Sequence, residues 1–101
     1  MTDADMVEIA TGFRDGLLGN RSSVGCCYMV SAPLAAMLRG VYGVPCDLVE
    51  SDHTNMDTIC YTHFWIRLAD GRVLDPTFDQ FCADEPTQIY LGAPTIFHQS
   101  N

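Results

Sequence analysis

A chain of 101 residues has room for one domain and one hydrophobic core, and we predict a single domain over residues 1–101. Its 48% hydrophobic and 18% charged residues are typical of a globular protein and exclude a disordered chain. Apolar runs stop well short of the roughly 20 residues that a membrane span needs. The acidic N-terminus lacks the basic and apolar regions of a signal peptide. We therefore predict a cytoplasmic protein with no membrane partner.

The charge of the chain is strongly acidic, with 13 Asp and Glu residues against five basic residues, all of them arginine. A net charge of −8 repels phosphate backbones, so we predict no nucleic-acid partner. The same charge indicates either a well-solvated surface or a surface that binds a basic protein.

The five cysteines are many for this length and odd in number; they are residues 26, 27, 46, 60 and 82. A cytoplasmic chain rarely carries a disulfide framework, and adjacent Cys26 and Cys27 are poorly placed to join two elements. Most free cysteines are small buried hydrophobic residues, which leaves one for chemistry. A zinc site is a rival interpretation, but no C-x-x-C or H-x-x-x-H spacing supports it, so we predict neither metal nor cofactor.

Two helices are predicted in the first half of the chain. Apolar residues recur at helical spacing over residues 3–18, and Gly19-Asn20 is a stop signal. A second apolar stripe over residues 27–42 places Cys27 at a helix entrance. Pro33 conflicts with this helix, because an internal proline removes a hydrogen bond at a cost of about 3 kcal/mol. The helix therefore either kinks at Pro33 or starts near Ser31.

The second half of the chain is predicted to be β. Strands are expected over residues 46–49, 61–68, 72–75 and 88–91, with residues 50–57 as a polar loop and the last ten residues unassigned. Helices followed by strands indicate an α+β domain.

The loop at Ala69-Asp70-Gly71 decides which side chains share a face of the sheet. A two-residue loop would put Asp75 opposite Ile66, on the face away from His63. A three-residue loop pairs Leu68 with Arg72 and Trp65 with Asp75, which makes His63 and Asp75 diagonal neighbours about 7–8 Å apart. Such a loop needs a left-handed residue at its third position, where Gly71 stands. We therefore predict the three-residue loop.

Several motifs resemble those of the transglutaminase-like superfamily. Gly25-Cys26-Cys27 at a helix start, followed by Gly43-Val44-Pro45, is similar to the start of that family's core. Residues 62–66 (T-H-F-W-I) and 74–77 (L-D-P-T) resemble its H-x-W-V and D-P-T strands. Residues 75–81 (D-P-T-F-D-Q-F) also resemble small bacterial and phage-encoded relatives.

The resemblance implies a papain-like core, in which the helix that carries Cys27 at its N-terminus packs on a small antiparallel sheet. It further implies that Cys27 is a nucleophile, His63 a general base and Asp75 the carboxylate that orients His63. Cys26 competes with Cys27 for the role of nucleophile.

Two further residues are candidates for binding substrate, Trp65 and Gln80. Each has an ordinary alternative, because Trp65 is well suited to packing and Gln80 to a structural hydrogen bond. For His53 and His98, which lie in loop or terminal sequence, the sequence does not indicate a contact.

We predict a cysteine-dependent acyl-transfer enzyme that acts on an amide bond of a protein or peptide through a thioester. Water as acceptor makes it a peptidase or amidase, and an amine makes it a transglutaminase-like transferase. The alternative is a non-catalytic acidic interaction protein, of a kind that phages encode, which binds a basic protein partner.

Overall fold

The computed structural model describes residues 1–21, 26–52, 62–81 and 87–98. Its elements are α1 (Asp3–Leu18), α2 (Cys27–Gly40), β1 (Cys46–Asp52), β2 (Thr62–Leu68), β3 (Val73–Asp75), a 3₁₀ turn (Phe78–Phe81) and β4 (Tyr90–Gly92). The four strands form one antiparallel sheet in the order β1-β2-β3-β4. The predicted α+β class is confirmed at this level, while the closer likeness to a transglutaminase-like core stays a prediction.

The first helix has the bounds that its apolar spacing predicts. Thr2 caps its N-terminus: the Thr2 hydroxyl accepts from the backbone N–H of Asp5, and the Asp5 carboxylate accepts from the backbone N–H of Thr2. Gly19, at a φ of 57°, ends the helix, because the positive φ stops the helical path.

The second helix begins at Cys27, so the later start near Ser31 does not occur, and Pro33 lies inside it on an exposed position. The helix ends at Gly40, two residues before the predicted end. Gly43, at a φ of 67°, turns the chain back, and the N–H of Val44 then bonds the carbonyl of Leu38 at 2.8 Å.

The strands differ from the prediction mainly at their ends. β1 continues to Asp52, three residues beyond its predicted end, because its whole length pairs with β2, from Cys46 opposite Leu68 to Asp52 opposite Thr62. β3 begins one residue later than predicted. β4 lies at Tyr90–Gly92 instead of residues 88–91, and it pairs with all three residues of β3. The rest of the predicted polar loop, residues 53–57, lies outside the described residues.

The hairpin between β2 and β3 has the predicted three-residue loop. Ile66 pairs with Leu74 and Arg67 with Val73, and the N–H of Leu68 donates to the carbonyl of Arg72 at 2.9 Å. Gly71 has a φ of 88°, in the left-handed region. The predicted register is therefore confirmed, and it brings the end of β3 beside the start of β2.

The sheet is buried on both faces. On one face, Ile66, Leu68 and Leu74 pack with residues of the two helices, chiefly Met6, Ala10, Leu34, Ala35 and Leu38. On the other face, Trp65 and Val73 form a second cluster with Val49 and Tyr90. Because successive side chains of a strand point to opposite faces, His63 and Asp75 belong to this second face.

A partly buried ion pair joins α1 to the segment after β3. The guanidinium of Arg14 donates to both carboxylate oxygens of Asp79, at 2.7 and 2.8 Å, and to the carbonyl of Pro76 at 3.1 Å. Arg14 thereby anchors the residues that directly follow Asp75. Among the described residues, no helix has the length and apolar composition to cross a bilayer.

Candidate active site

Cys27 opens α2, and the first turn of that helix lies against β2. The hydroxyl of Ser31 donates to the carbonyl of Phe64 at 3.2 Å, and the ring of Tyr28 meets the ring of Phe64 edge-on at 4.9 Å. These contacts hold the helix start beside His63. The thiol of Cys27 is buried, with 6% of the residue exposed, and it lies at the end of the helix where unpaired N–H groups carry partial positive charge.

His63 and Asp75 form a hydrogen bond of 2.6 Å between Nε2 and Oδ2, and both side chains are fully buried. The diagonal pairing that the hairpin register predicts therefore brings the two side chains into contact. With Nε2 engaged by Asp75, Nδ1 is the ring nitrogen through which His63 can exchange a proton with Cys27.

Within the part of the chain that the structure describes, Asp75 has two further partners. Its Oδ1 accepts the backbone N–H of Thr77 at 3.1 Å, and its Oδ2 lies 2.8 Å from Nε2 of His98. The sequence does not point to this contact, because His98 follows an unassigned stretch and no spacing links it to Asp75. The structure thus adds His98 to the site.

The pKa of the Cys27 thiol lies below its ordinary value. Burial favours the neutral thiol, but it is outweighed by the hydrogen bond with the side chain of His63, the one with the backbone of Phe64, the charge of His63 and the hydrogen bond with Gln80. The surroundings therefore make the Cys27 thiol easier to deprotonate than an ordinary cysteine.

The pKa of Asp75 is also lowered. Its complete burial favours the protonated acid, and the hydrogen bonds from His63 and His98, together with the charge of His63, overcome this effect. Asp75 is consequently an ionised group inside the protein, where a carboxylate is costly unless donors surround it.

The two candidate substrate-binding residues occupy different positions. Trp65 is buried, and its indole N–H donates to the hydroxyl of Ser51 at 2.8 Å, so its contacts are those of a packing residue. Gln80 is fully buried and hydrogen-bonded to Cys27, which places an amide at the thiol. Cys26 precedes the helix and is half-buried. His53, Cys60 and Cys82 lie outside the described residues.

No family model, no curated protein and no solved structure matches this chain. What the site does is therefore inferred from its own geometry and from the motifs in the sequence.

His63, Asp75 and His98 are also residue types that bind metals, and their nearest ligand atoms lie within 4.8 Å of one another. However, Oδ2 of Asp75 lies only 2.6 and 2.8 Å from the two Nε2 atoms. Ligands of a tetrahedral zinc ion, each about 2.0–2.1 Å from the metal, would be about 3.3 Å apart. The spacing fits a chain of hydrogen bonds that joins His63, Asp75 and His98, with Cys27 beside His63.

Proposed function

We propose that this protein is a cysteine-dependent acyl-transfer enzyme that cleaves an amide bond of a protein or peptide through a thioester. The observation that carries this proposal is the Cys27 thiol, whose lowered pKa results largely from contact with a histidine that Asp75 holds at 2.6 Å. The motif resemblance to the transglutaminase-like superfamily supports the same chemistry.

In the proposed mechanism, the proton of the Cys27 thiol moves to Nδ1 of His63, and Sγ attacks the carbonyl carbon of the substrate. The carbonyl π electrons move to the oxygen, and we assign the backbone N–H of Cys27 and the side-chain amide of Gln80, which is hydrogen-bonded to Cys27, as the donors to this oxygen. The tetrahedral intermediate then collapses, the C–N bond breaks, and His63 returns the proton to the leaving amine. Asp75 keeps the imidazole in the tautomer that this transfer needs.

Water or an amine can then release the acyl group from the thioester. Attack by water, with its proton passed to His63, gives a carboxylic acid and restores the thiol; attack by a primary amine gives a new amide. To separate these outcomes, we would incubate the protein with glutamine-containing peptides and a fluorescent primary amine and measure product masses. A gain equal to the amine minus ammonia identifies a transferase, and cleavage or deamidation identifies a hydrolase.

Alkylation by iodoacetamide tests the nucleophile without a known substrate. In a Cys26→Ser background, we expect Cys27 to react rapidly at neutral pH and Cys46 to react slowly. Burial raises the pKa of Cys46, and its thiol contacts the carbonyl of Ala35, so this core cysteine is an internal control. His63→Ala should slow labelling of Cys27 by about tenfold or more. Equal rates for Cys27 and Cys46 in the folded protein would contradict the proposal.

A second candidate function is binding of a basic partner, and a groove along the two helices favours it. The groove has a volume of about 470 Å³ and is lined by Ile9, Gly12, Phe13, Gly16, Leu17, Pro33 and Tyr42. A smaller depression shares Ile9 and Tyr42 and adds the acidic side chains of Asp5 and Glu8. An apolar floor with an acidic end fits an amphipathic, basic helix.

Peptide binding tests this second function separately. We expect a basic amphipathic peptide to bind in a fluorescence-anisotropy assay and to bind more weakly as salt is raised. Gly12→Leu should abolish binding, because the leucine side chain would fill the groove, and no atom lies within 4 Å of the position that its Cβ would take. Cys27→Ser should bind normally. No binding by the unsubstituted protein would remove this candidate.

A further inference from the structure

His98 lies in an aromatic cluster on the sheet face that carries Asp75. Its ring stacks with Phe78 at 5.7 Å and with Tyr90 at 5.5 Å, with interplanar angles of 21° and 16°. Trp65 meets the His98 ring edge-on at 5.3 Å. Only 4% of His98 is exposed. The ring is thus held in one orientation by packing, before any hydrogen bond is considered.

The partners of Nδ1 determine which tautomer of His98 is present. The backbone N–H of Thr95 points at Nδ1 from 3.3 Å, and a backbone N–H can only donate, so Nδ1 must accept. The hydroxyl of Thr95, 2.8 Å from Nδ1, accepts from the N–H of Phe97 and so can donate its own proton to the ring. His98 is consequently neutral with its proton on Nε2. That proton faces Oδ2 of Asp75 at 2.8 Å.

We propose that His98 is a positioning residue of the Cys27 site: Thr95 fixes its neutral Nε2–H tautomer, and its N–H holds the Asp75 carboxylate ionised and directed at His63. The proposal rests on the acyl-transfer function proposed above, which it extends by one residue. His98 contacts Asp75, so its action on Cys27 is transmitted through Asp75 and His63.

Among the described residues, three N–H donors, from His63, His98 and Thr77, surround a carboxylate that has no exposure to water. Loss of the His98 donor leaves two, and the acid becomes easier to protonate. A neutral Asp75 does not stabilise the imidazolium of His63, so the proton returns from His63 to the sulfur of Cys27. The thiolate of Cys27 is therefore lost at a higher pH. The expected signature is an upward shift of the acid limb in the pH profile of Cys27 alkylation.

The other titratable groups that face this network come from neighbouring elements. His63 on β2 and Cys27 on α2 belong to the same chain of hydrogen bonds. Tyr90 on β4 contributes a ring face to His98, while its hydroxyl donates to the carbonyl of Ala93. The limb is therefore assigned to the coupled network and not to a single residue.

Two substitutions of His98 separate its hydrogen bond from its packing. His98→Phe keeps a stacked ring and removes the donor, whereas His98→Gln keeps an N–H near the position of Nε2 and removes the ring. With iodoacetamide as the probe, in a Cys26→Ser background, we expect His98→Phe to raise the acid limb by about one pH unit. In His98→Gln, the acid limb should lie closer in pH to that of the Cys26→Ser protein that keeps His98. Thermal melts of both variants identify the pH range in which each is folded.

Each outcome has a distinct meaning. An unchanged acid limb in folded His98→Phe overturns the role of His98 and leaves the proposed enzyme intact. An ordinary thiol titration near ~8.5 in the unsubstituted protein removes the proposed function instead. If His98→Phe does not fold, nitrogen NMR of the unsubstituted protein shows which ring nitrogen of His98 carries the proton, and this tests the inference instead. A proton on Nε2 and none on Nδ1 at neutral pH supports the inference, and the reverse tautomer or a charged ring overturns it.

Discussion

Two buried cysteines of this chain show how the neighbours of a thiol decide its chemistry. Cys27 and Cys46 are almost equally inaccessible, with 6% and 7% of their surfaces exposed. Burial raises the pKa of Cys46, where no cationic donor contacts the sulfur directly among the described residues. At Cys27 the same effect is overcome by His63 and by two further hydrogen bonds. Exposure alone would not distinguish the two residues.

The adjacent pair of cysteines yields a prediction at this scale. Cys27→Ser should abolish amide-directed activity, because a serine hydroxyl is not ionised by this histidine, and Cys26→Ser should retain most of it. Thermal melts should show that both variants are folded. Activity in Cys27→Ser together with its loss in Cys26→Ser would assign the nucleophile to the other residue.

Asp75→Asn tests the charge next to His63 while keeping the shape of the side chain. Without the carboxylate, the imidazolium is less stable and loses its proton at lower pH. The alkaline limb of the activity profile should therefore move to lower pH, and the maximum rate should fall by about tenfold or more. A rate loss that merely parallels the loss of thermal stability would mean that Asp75 acts only in folding.

At the scale of elements, the loop between β2 and β3 controls the site. A two-residue loop would shift the register by one and turn Asp75 away from His63. Gly71 makes the three-residue loop possible, because its φ of 88° is strained for residues with a side chain.

Gly71→Val should lower the free energy of unfolding by about 2 kcal/mol, since a β-branched residue fits the left-handed region poorly. Urea unfolding gives this value. Gly71→Asn is the matched control, because asparagine tolerates the same conformation and should cost less. Equal effects of the two substitutions would argue against conformational strain as the cause.

At the scale of the whole molecule, Arg14 ties the N-terminal helix to the segment that follows Asp75. Because Arg14 is buried, its removal takes the guanidinium away from the carboxylate of Asp79 and from the carbonyl of Pro76. Arg14→Met should reduce the free energy of unfolding by roughly 3 kcal/mol. The double variant Arg14→Met/Asp79→Leu should recover part of that loss in the same denaturation experiment. No recovery would mean that Asp79 is not the group that Arg14 stabilises.

The stability of the molecule should also depend on the ionisation of Asp75. Its pKa is lower in the folded state than the ordinary value of about 3.9, so the stabilisation is complete well above that pH. It is lost as the pH falls through the lower folded value. Thermal melts from about pH 6 down to about pH 2, which bracket that window, should therefore show a steeper acid loss than Asp75→Asn shows. Parallel curves would indicate that other carboxylates, such as Asp5 and Asp70, dominate acid unfolding.

The sequence by itself determines those features that depend on near neighbours along the chain. Helical spacing predicts both bounds of α1, and the glycine at position 71 predicts the hairpin register and with it the pair of His63 and Asp75. Local rules suffice here, because turn geometry and the two-residue period of a strand transmit the position of a loop to every side chain.

Only the tertiary structure decides what surrounds those residues. His98 meets Asp75 across 23 positions of sequence, and Arg14 meets Asp79 across 65, with no periodicity to link either pair. β1 likewise extends beyond its predicted end because β2 is there to pair with it. The direction of a pKa shift also depends on tertiary structure, because the hydration that a charged group loses on burial is set against the hydrogen-bond donors that it gains. The loss of hydration and the new donors both arise only once distant segments have packed against the site.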